Sequence, residues 1–215
     1  MADTITKGDF VEVEYTGRLK GSNAVFDTTD EKIAKESTLH EGKMKYGAIT
    51  VCIGEGHLLK GLDAAMQGKE VGKQYTVELS AEQAFGRKNS KLIQLIPTTK
   101  FLKEKIQPMP GLQINVDGMY GVVKSVSGGR TLVDFNHPLS GKDIVYDIKV
   151  NKKVTDAATK VRTVVGLTLQ KEDVKVTVNE GKAIIDFKLP KELHAMLKEQ
   201  VTKLVPEIKD VEFKE

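Results

Sequence analysis

Residues 11–29, VEVEYTGRLKGSNAVFDTT, decide how the first half of the chain folds. In residues 11–19, apolar or small side chains alternate with polar ones, which predicts a half-buried β-strand. Residues 21–23 (Gly-Ser-Asn) predict a turn, and Phe26 and Asp27 then stand side by side at the start of a second strand. A strand that only filled a core would need no carboxylate at this point, so we expect the hairpin to carry part of a functional site.

Composition excludes several classes of protein. The chain has 215 residues, enough for two modest domains or one domain with an insertion, and its 33 basic and 30 acidic side chains give a net charge of only +3. The single cysteine, Cys52, excludes an internal disulfide and fits a reducing compartment. No signal pattern opens the chain, and no apolar run reaches membrane-spanning length. We therefore expect a soluble, cytoplasmic protein that binds neither nucleic acid nor membrane.

Periodicity divides the chain into an outer domain and an insertion. Alternation predicts further strands over 49–53, 71–79 and 143–150, and helical spacing predicts a helix over 58–67 that ends at Gly68. The charged stretch 30–47 is predicted to be a loop with about one helical turn. From Lys88 onwards the pattern changes: residues 91–135 hold three of the six prolines, and strands are predicted over 119–126 and 131–135. A domain inserted into the first one explains this order economically.

The tail, residues 155–215, predicts a third unit with the order α-β-β-α-β. Asp156 can cap its first helix, a hairpin turns near Gly181, and a second helix runs between Pro190 and Pro206. About sixty residues form only a small core, so docking or dimerisation would stabilise the unit.

The common kinds of catalytic site are missing from the sequence. The four histidines, His40, His57, His137 and His194, lack metal-ligand spacing, and Cys52 lies within a predicted core strand. No nucleophile elbow or phosphate-binding loop is present, so we expect no metal and no cofactor. Apolar and aromatic residues at the ends of elements remain, and a purely structural core is one open interpretation of them.

One reaction needs little more than such an apolar pocket. Rotation about an Xaa-Pro peptide bond breaks no bond, and its barrier of roughly 20 kcal/mol arises from lost amide conjugation. A dry pocket that holds the proline ring, together with a backbone N–H for the substrate carbonyl, can bind the twisted amide better than the planar one.

Four segments in order resemble the FKBP-type peptidyl-prolyl cis-trans isomerases: VEVEYTGRLKGSNAVFDTT, LLKGLDAAMQGKEVG, AEQAFG and IVYDIKV. The resemblance implies an α+β fold in which a bent antiparallel sheet wraps around a short helix, with the proline pocket between them. It also implies which residues line that pocket. The implied catalytic residues are Tyr15, Phe26, Asp27, Leu59 through its N–H, Phe85 and Tyr146, and the implied substrate-binding residues nearby are Leu58 and Leu62.

Three positions depart from the family pattern. Leu62 stands where many relatives have a tryptophan floor, and the chain contains no tryptophan. Phe85 replaces a usual tyrosine and lacks its hydroxyl, and Tyr146 replaces a usual phenylalanine. We expect the smaller floor to weaken the binding of bulky macrolide inhibitors more than it weakens turnover.

The segments AFGRKN, LIQLIP and VDFNHPLSGK resemble the SlyD-type branch of the family, in which an insert-in-flap chaperone domain replaces a loop near the active site. The resemblance implies that apolar side chains of the insert capture unfolded chains and that His137 holds the junction; at least half of these side chains must instead form the insert's own core. The metal-binding tail of SlyD is absent, so metal binding is not carried over. The candidate capture residues are Leu92, Ile93, Leu95, Ile96, Phe101, Leu102, Met109, Leu112, Met119 and Tyr120.

The predicted domains are therefore 1–88 with 135–154 (isomerase), 89–134 (insert-in-flap, rich in β-strands) and 155–215 (C-terminal α+β), an arrangement that resembles the long archaeal FKBPs. The expected partners are unfolded or partly folded polypeptides that contain proline, and a homodimer through residues 155–215 is one further interpretation. A holdase that binds such chains without catalysis is the main alternative. A purely structural assembly module would leave Tyr15, Phe26, Asp27 and Tyr146 unexplained.

Overall fold

The structure is a computed structural model that describes residues 3–39, 45–116, 118–171 and 173–214. The chain divides into two compact units, one formed by residues 1–79 and 144–215 and the other by residues 80–143. Both units are built mainly from antiparallel strands with a few short helices, which confirms the predicted α+β class.

The first unit contains a five-stranded sheet centred on a long first strand. Its elements are β1 (Phe10–Leu19), β2 (Val25–Thr28), α1 (Glu31–Glu36), β3 (Ile49–Cys52), α2 (Lys60–Met66), β4 (Gln74–Leu79) and β9 (Ile144–Lys153). The first half of β1 pairs with β3 and its second half with β2, while β9 runs antiparallel along it and bridges to β4. Because β1 and β9 carry the clearest alternation, the predicted strands overlap the observed ones, although β9 continues beyond residue 150 to Lys153. Val11, Val13, Ile144 and Ile148 are fully buried.

The starts of two elements in this unit also differ from the sequence prediction. Helix α2 begins at Lys60 rather than Leu58, because Leu59 takes an extended backbone conformation with ψ 137° and acts as the N-cap. Strand β4 begins at Gln74 rather than Val71, because Gly72 turns the chain with φ +81°. The predicted helical turn in the segment after Thr29 is confirmed as α1, which Asp30 caps; residues 40–44 lie outside the described residues.

The second unit holds a four-stranded antiparallel sheet in the order β5-β8-β7-β6. Its elements are β5 (Ile93–Pro97), α3 (Thr98–Lys103), β6 (Gln113–Val116), β7 (Met119–Ser127) and β8 (Arg130–Asp134), after a 3-10 turn at Ser90–Leu92. The hairpin between β7 and β8 turns at two glycines with positive φ, as predicted, whereas β5, α3 and β6 were not predicted. Its core consists of Phe101, Ile114, Val123, Val133 and Phe135.

Residues 157–214 have the predicted order α-β-β-α-β. The elements are α4 (Ala157–Leu169), β10 (Lys175–Asn179), β11 (Lys182–Asp186), α5 (Lys191–Leu204) and β12 (Asp210–Lys214), and β12 is an edge strand that pairs in parallel with β11. Asp156 caps α4 by accepting a hydrogen bond from the Thr159 N–H. The core of this segment is continuous with the first sheet, because Phe10 of β1 and Cys52 of β3 belong to the same hydrophobic cluster as Val161 and Val201.

The longest helix of the described residues, α5, has only 14 residues. Throughout the described ranges, every helix is too short or too polar to span a lipid bilayer.

Candidate functional site

A bulge in the first hairpin explains why Phe26 and Asp27 are neighbours. Gly17 of β1 lies opposite Asp27 of β2 and opposite Tyr146 of β9, so one cross-strand row joins three strands. The next residue of β1, Arg18, pairs with Val25, which leaves Phe26 as the extra residue of a β-bulge. In a regular strand Phe26 and Asp27 would point to opposite faces; here each contacts a tyrosine of the same cluster.

Three aromatic rings meet over Gly17. The ring of Tyr146 lies edge-on to Tyr15, with centroids 5.6 Å apart, and edge-on to Phe26, with centroids 5.7 Å apart. Edge-to-face pairs of this kind contribute about 0.5–1.5 kcal/mol each beyond the area that they bury. A Cβ at position 17 would lie 2.7 Å from Cζ of Phe26 and 2.9 Å from Cε1 of Tyr146. Only glycine therefore allows the rings to approach this closely.

Asp27 is a half-buried carboxylate held by a tyrosine. Burial raises the pKa of Asp27, and the hydrogen bonds that it accepts from the Tyr15 hydroxyl and the Thr28 backbone only partly oppose this. Burial and the Asp27 charge likewise raise the pKa values of Tyr15 and Tyr146, so both phenols stay protonated at neutral pH. The cluster thus combines three apolar ring surfaces with one carboxylate in a poorly solvated place.

Thr29 fixes the backbone of Tyr15. The Tyr15 N–H donates to the Thr29 hydroxyl at 2.8 Å, and the Thr29 N–H donates to the Tyr15 carbonyl at 2.9 Å. These reciprocal bonds hold the chain just beyond Asp27 against β1, which limits how far the carboxylate can move.

The segment that leads into α2 is held by a buried acid. Asp63, 7% exposed, accepts hydrogen bonds from the N–H of Gly54 at 2.8 Å and of Gly56 at 3.4 Å. Both glycines have positive φ, which favours glycine at these turn positions. Leu58 and Leu59 follow after His57 and are half-buried, and Leu62 in the first turn of α2 is 1% exposed.

The backbone N–H of Leu59 is available to a ligand. Among the residues that the structure describes, no oxygen accepts a hydrogen bond from it, as expected at the N-terminal end of a short helix. This N–H, unlike the side chains, requires no particular residue at position 59.

His57 and Cys52 have structural roles beside this segment. The Cys52 N–H donates to Nδ1 of His57 at 2.9 Å, so the neutral ring carries its proton on Nε2. Burial lowers the pKa of His57, against the opposing effect of Asp63 and Glu55. Burial, together with nearby carboxylates, raises the pKa of the Cys52 thiol to about 12, which agrees with a packed core thiol rather than a nucleophile.

Phe85 belongs to the second unit, where its ring stacks on His137 with centroids 4.7 Å apart. The Ser140 hydroxyl donates to the Phe85 carbonyl at 3.1 Å, and Nδ1 of His137 accepts from the Leu139 N–H at 3.2 Å. Through its contacts with Phe85 and Leu139, His137 helps to hold the segment that leaves the insert in its folded conformation. The assignment of Phe85 to the proline pocket stays a prediction.

The apolar residues predicted to capture clients fall into two groups. Phe101 is 5% exposed in the core of the insert, and Leu92, Ile96 and Leu112 pack against that core. These four residues contribute to the insert's own core, so the expectation that at least half of the ten would do so is wrong. The other six are exposed: Ile93, Leu95, Leu102, Met109, Met119 and Tyr120.

The structure thus brings Tyr15, Phe26, Asp27 and Tyr146 together, and it places Leu58, Leu59 and Leu62 on the entry to α2. Sequence reasoning missed Gly17 and Asp63. A glycine within an alternating strand was the one available signal for Gly17, since such a residue often marks a close approach. Asp63 gave no signal of its own, because an acid in the first turn of a helix is common. In the described ranges, no three His, Cys, Asp or Glu side chains converge to form a metal-ligand set.

Comparison with known proteins identifies the class to which this fold and site belong. The sequence profile described as FKBP-type peptidyl-prolyl cis-trans isomerase matches residues 2–107, and the profile described as FKBP26, IF domain, matches residues 94–139. A short-type peptidyl-prolyl cis-trans isomerase of Methanocaldococcus jannaschii is 35% identical over 150 residues, which cover 70% of this chain and 94% of that protein. The chain belongs to the FKBP-type peptidyl-prolyl cis-trans isomerase family.

Two bacterial relatives extend the comparison. The FKBP-type 16 kDa isomerase of Escherichia coli K12 is 29% identical over 154 residues, covering 70% of this chain and 94% of that protein. A SlyD isomerase of Helicobacter pylori is 27% identical over 143 residues, covering 64% of this chain and 69% of that protein. The resemblance to the family and to its SlyD-like members is confirmed. Neither family profile matches residues beyond 139.

Proposed function

We propose that the cluster of Tyr15, Phe26, Asp27 and Tyr146 is the pocket in which this isomerase rotates Xaa-Pro bonds. One observation carries the proposal: a bulge and a glycine bring three rings and a half-buried carboxylate from three strands into contact. A core needs no such carboxylate, whereas a pocket for a proline ring gains from the apolar surfaces around it.

The chemistry requires no covalent step. Apolar walls exclude water from the amide, which favours the twisted, less conjugated form over the planar one. Leu59 would donate its unused N–H to a substrate carbonyl, while Leu58 and Leu62 would line the pocket on the side of α2. Asp27, fixed by Tyr15, would place a carboxylate beside the amide as it loses its conjugation. Phe85 is proposed as a further wall.

The test is NMR exchange between cis and trans forms of an Ala-Leu-Pro-Phe peptide, with and without catalytic amounts of protein. Uncatalysed exchange takes tens of seconds or longer, so catalysis is easy to detect. We expect F26A and D27A to lower kcat/KM by at least about tenfold, which corresponds to 1.4 kcal/mol. Asp186, an exposed carboxylate on β11, supplies the matched control D186A. Equal activity of all three variants would show that the proline pocket does not lie at this cluster.

The insert, proposed as residues 89–134, would capture unfolded chains that contain proline. Its six exposed apolar residues support this role, since covering them with apolar side chains of an unfolded client would remove both from water. Tyr120 is 79% exposed and Leu95 is 59% exposed, so polar substitutions there should leave the fold intact. We expect L95S/Y120S to suppress the aggregation of an unfolded client less well than the wild type does, with tetrapeptide turnover unchanged.

The second candidate function is a holdase without catalysis. The observation in its favour is the pair of departures at Leu62 and Phe85, together with the exposed apolar residues of the insert. Suppressed aggregation with no acceleration of peptide exchange would establish it. We further propose weak macrolide binding, which a dissociation constant tests, and a cytoplasmic setting, which localisation of a tagged chain tests. Residues 155–215 are proposed as a C-terminal domain that packs on the first sheet and forms the contact of a homodimer, which light scattering tests.

A further inference from the structure

A second groove borders the segment that leads to the proposed donor of Leu59. It has a volume of about 520 Å³, and the turn between β3 and α2 forms one side of it while α4 and α5 form the other. We propose that this groove binds the part of a client chain that adjoins the isomerised proline, as an extended subsite for apolar, uncharged peptide. The proposal rests on the proposed isomerase function.

Continuity with the proposed pocket identifies the occupant. The groove is lined by Glu55, Gly56 and His57, and the next residue of the chain is Leu58. Consecutive Cα atoms are about 3.8 Å apart, whereas an extended peptide advances about 3.3 Å per residue. A client chain that leaves a proline held beside Leu58 therefore needs about one residue to match the Cα step from Leu58 to His57 at the edge of the groove. All of its lining residues belong to one compact unit.

The floor of the groove is apolar. Val164 is buried at its base, Leu204 is half-buried, and Leu167 leaves 44% of its surface exposed on α4. An apolar client side chain that covered Leu167 would remove this surface from water, which is favourable by the hydrophobic effect.

The rim offers donors for a peptide backbone but no excess charge. The tautomer of His57 leaves its Nε2–H free to donate to a peptide carbonyl. The Thr168 hydroxyl donates to Oε1 of Gln200 at 2.9 Å, which leaves the NH2 group of Gln200 as a second donor. Lys203 and Glu55 lie 3.9 Å apart across the rim and balance each other. A neutral, apolar segment fits this environment better than a strongly charged one.

The experiment compares peptides of two lengths around the same Leu-Pro core. The short probe is Ala-Leu-Pro-Phe, and the long probes add four apolar, uncharged residues either before or after it. We expect the full-length wild type to turn over one long probe with a kcat/KM several-fold higher than that of the short one. L167Q should remove most of this advantage, a loss of about threefold to tenfold, while short-probe turnover stays constant. M196Q is the matched control: Met196 is 40% exposed on α5 and lies outside the groove.

Each result decides one question. No turnover of the short probe by the wild type defeats the isomerase proposal, whatever the groove does. Equal turnover of short and long probes, or equal losses in L167Q and M196Q, overturns the groove proposal alone. A change of oligomeric state in L167Q, measured by light scattering, would show that a second copy covers the groove and would overturn it too. Should L167Q fail to fold, the wild-type methyl shifts of Leu167 must respond to a long probe and not to the short one.

Discussion

At the scale of single residues, glycine has the most specific task in the proposed pocket. Gly17 gives Phe26 and Tyr146 the space that a methyl group would occupy, and it shares a cross-strand row with Asp27. The pocket thus depends on a missing side chain as much as on the aromatic ones.

We predict that G17A disrupts the cluster. Its methyl group would lie 2.7 Å from the Phe26 ring, so the rings must separate, at a cost of about 1–3 kcal/mol in the free energy of unfolding. Tetrapeptide turnover should fall with it. Gly21 supplies the control, because a Cβ there meets nothing within 4 Å and its φ is not positive. Urea unfolding of both variants checks this, and a G17A protein as stable and active as G21A would contradict it.

Gly17 and the bulge at Phe26 also show which features of the site could not be predicted from the sequence. Alternation in β1 and β9 predicted both strands and the buried face of each. The bulge at Phe26 follows from pairing with another strand, and the approach of Tyr146 to Gly17 joins residues far apart in sequence. Neither contact is expressed in local periodicity, so neither could be predicted from it.

At the scale of elements, the short apolar runs of the insert were the hardest to interpret. The segment LIQLIP has no clean alternation and ends in Pro97, so it gave no strand signal, although Ile93–Pro97 pairs along its whole length with β8. Four of the ten residues predicted to capture clients belong to the insert's core or pack against it. They were misassigned because composition does not distinguish a small domain's core from a binding surface.

The two ends of the insert are joined by an ion pair that should respond to acid. Burial alone would raise the pKa of Asp134, but hydrogen bonds from Lys88 and Asn136 outweigh it and lower the pKa to about 2. Lys88 lies 2.7 Å from Asp134, whose side chain is 6% exposed.

We predict that this junction weakens between about pH 4 and pH 2. The folded pKa lies below the unfolded value of 3.8, so the stabilisation is complete above pH 3.8 and is lost as pH falls towards 2. Its size is about 1–2 kcal/mol, since the partner Lys88 is partly solvated. Amide exchange at Val133 would measure it. In D134N, the protection of Val133 against amide exchange should be lower at pH 4 and should fall less between pH 4 and pH 2. An identical pH profile in both proteins would refute the assignment.

At the scale of the whole molecule, residues 155–215 share a core with the sheet that carries the proposed pocket. Phe10 and Cys52 are buried in one cluster with side chains of α4 and α5. The tail thus completes the hydrophobic environment of β1 and β3.

We therefore predict that a chain ending at residue 154 is less stable. Removal of the tail exposes the Phe10 ring, and burial of such a ring contributes about 1.5–3 kcal/mol. A thermodynamic cycle isolates this contribution: F10A should cost about 3–5 kcal/mol in the full chain and clearly less in the truncated one. Equal costs in both backgrounds would mean that the tail does not support β1.

The insert, by contrast, should be removable. Asn89 and Asn136 hold its two ends together, since the Asn89 N–H donates to Oδ1 of Asn136 at 2.8 Å and the Asn136 amide donates to the Asn89 carbonyl at 3.1 Å. A short glycine linker in place of residues 90–132 should bridge this gap with little strain.

We predict that this deletion separates the two proposed activities. Turnover of Ala-Leu-Pro-Phe should stay within about twofold of the wild type, because a tetrapeptide needs only the pocket. Refolding of a protein limited by proline isomerisation should slow by about tenfold or more, because a captured client holds its prolines at a high effective concentration near the pocket. Refolding traces and peptide exchange, measured on the same preparation, give the two rates. Equal losses of both would mean that the insert supports the pocket's structure, and the tethering of clients would then have no part in catalysis.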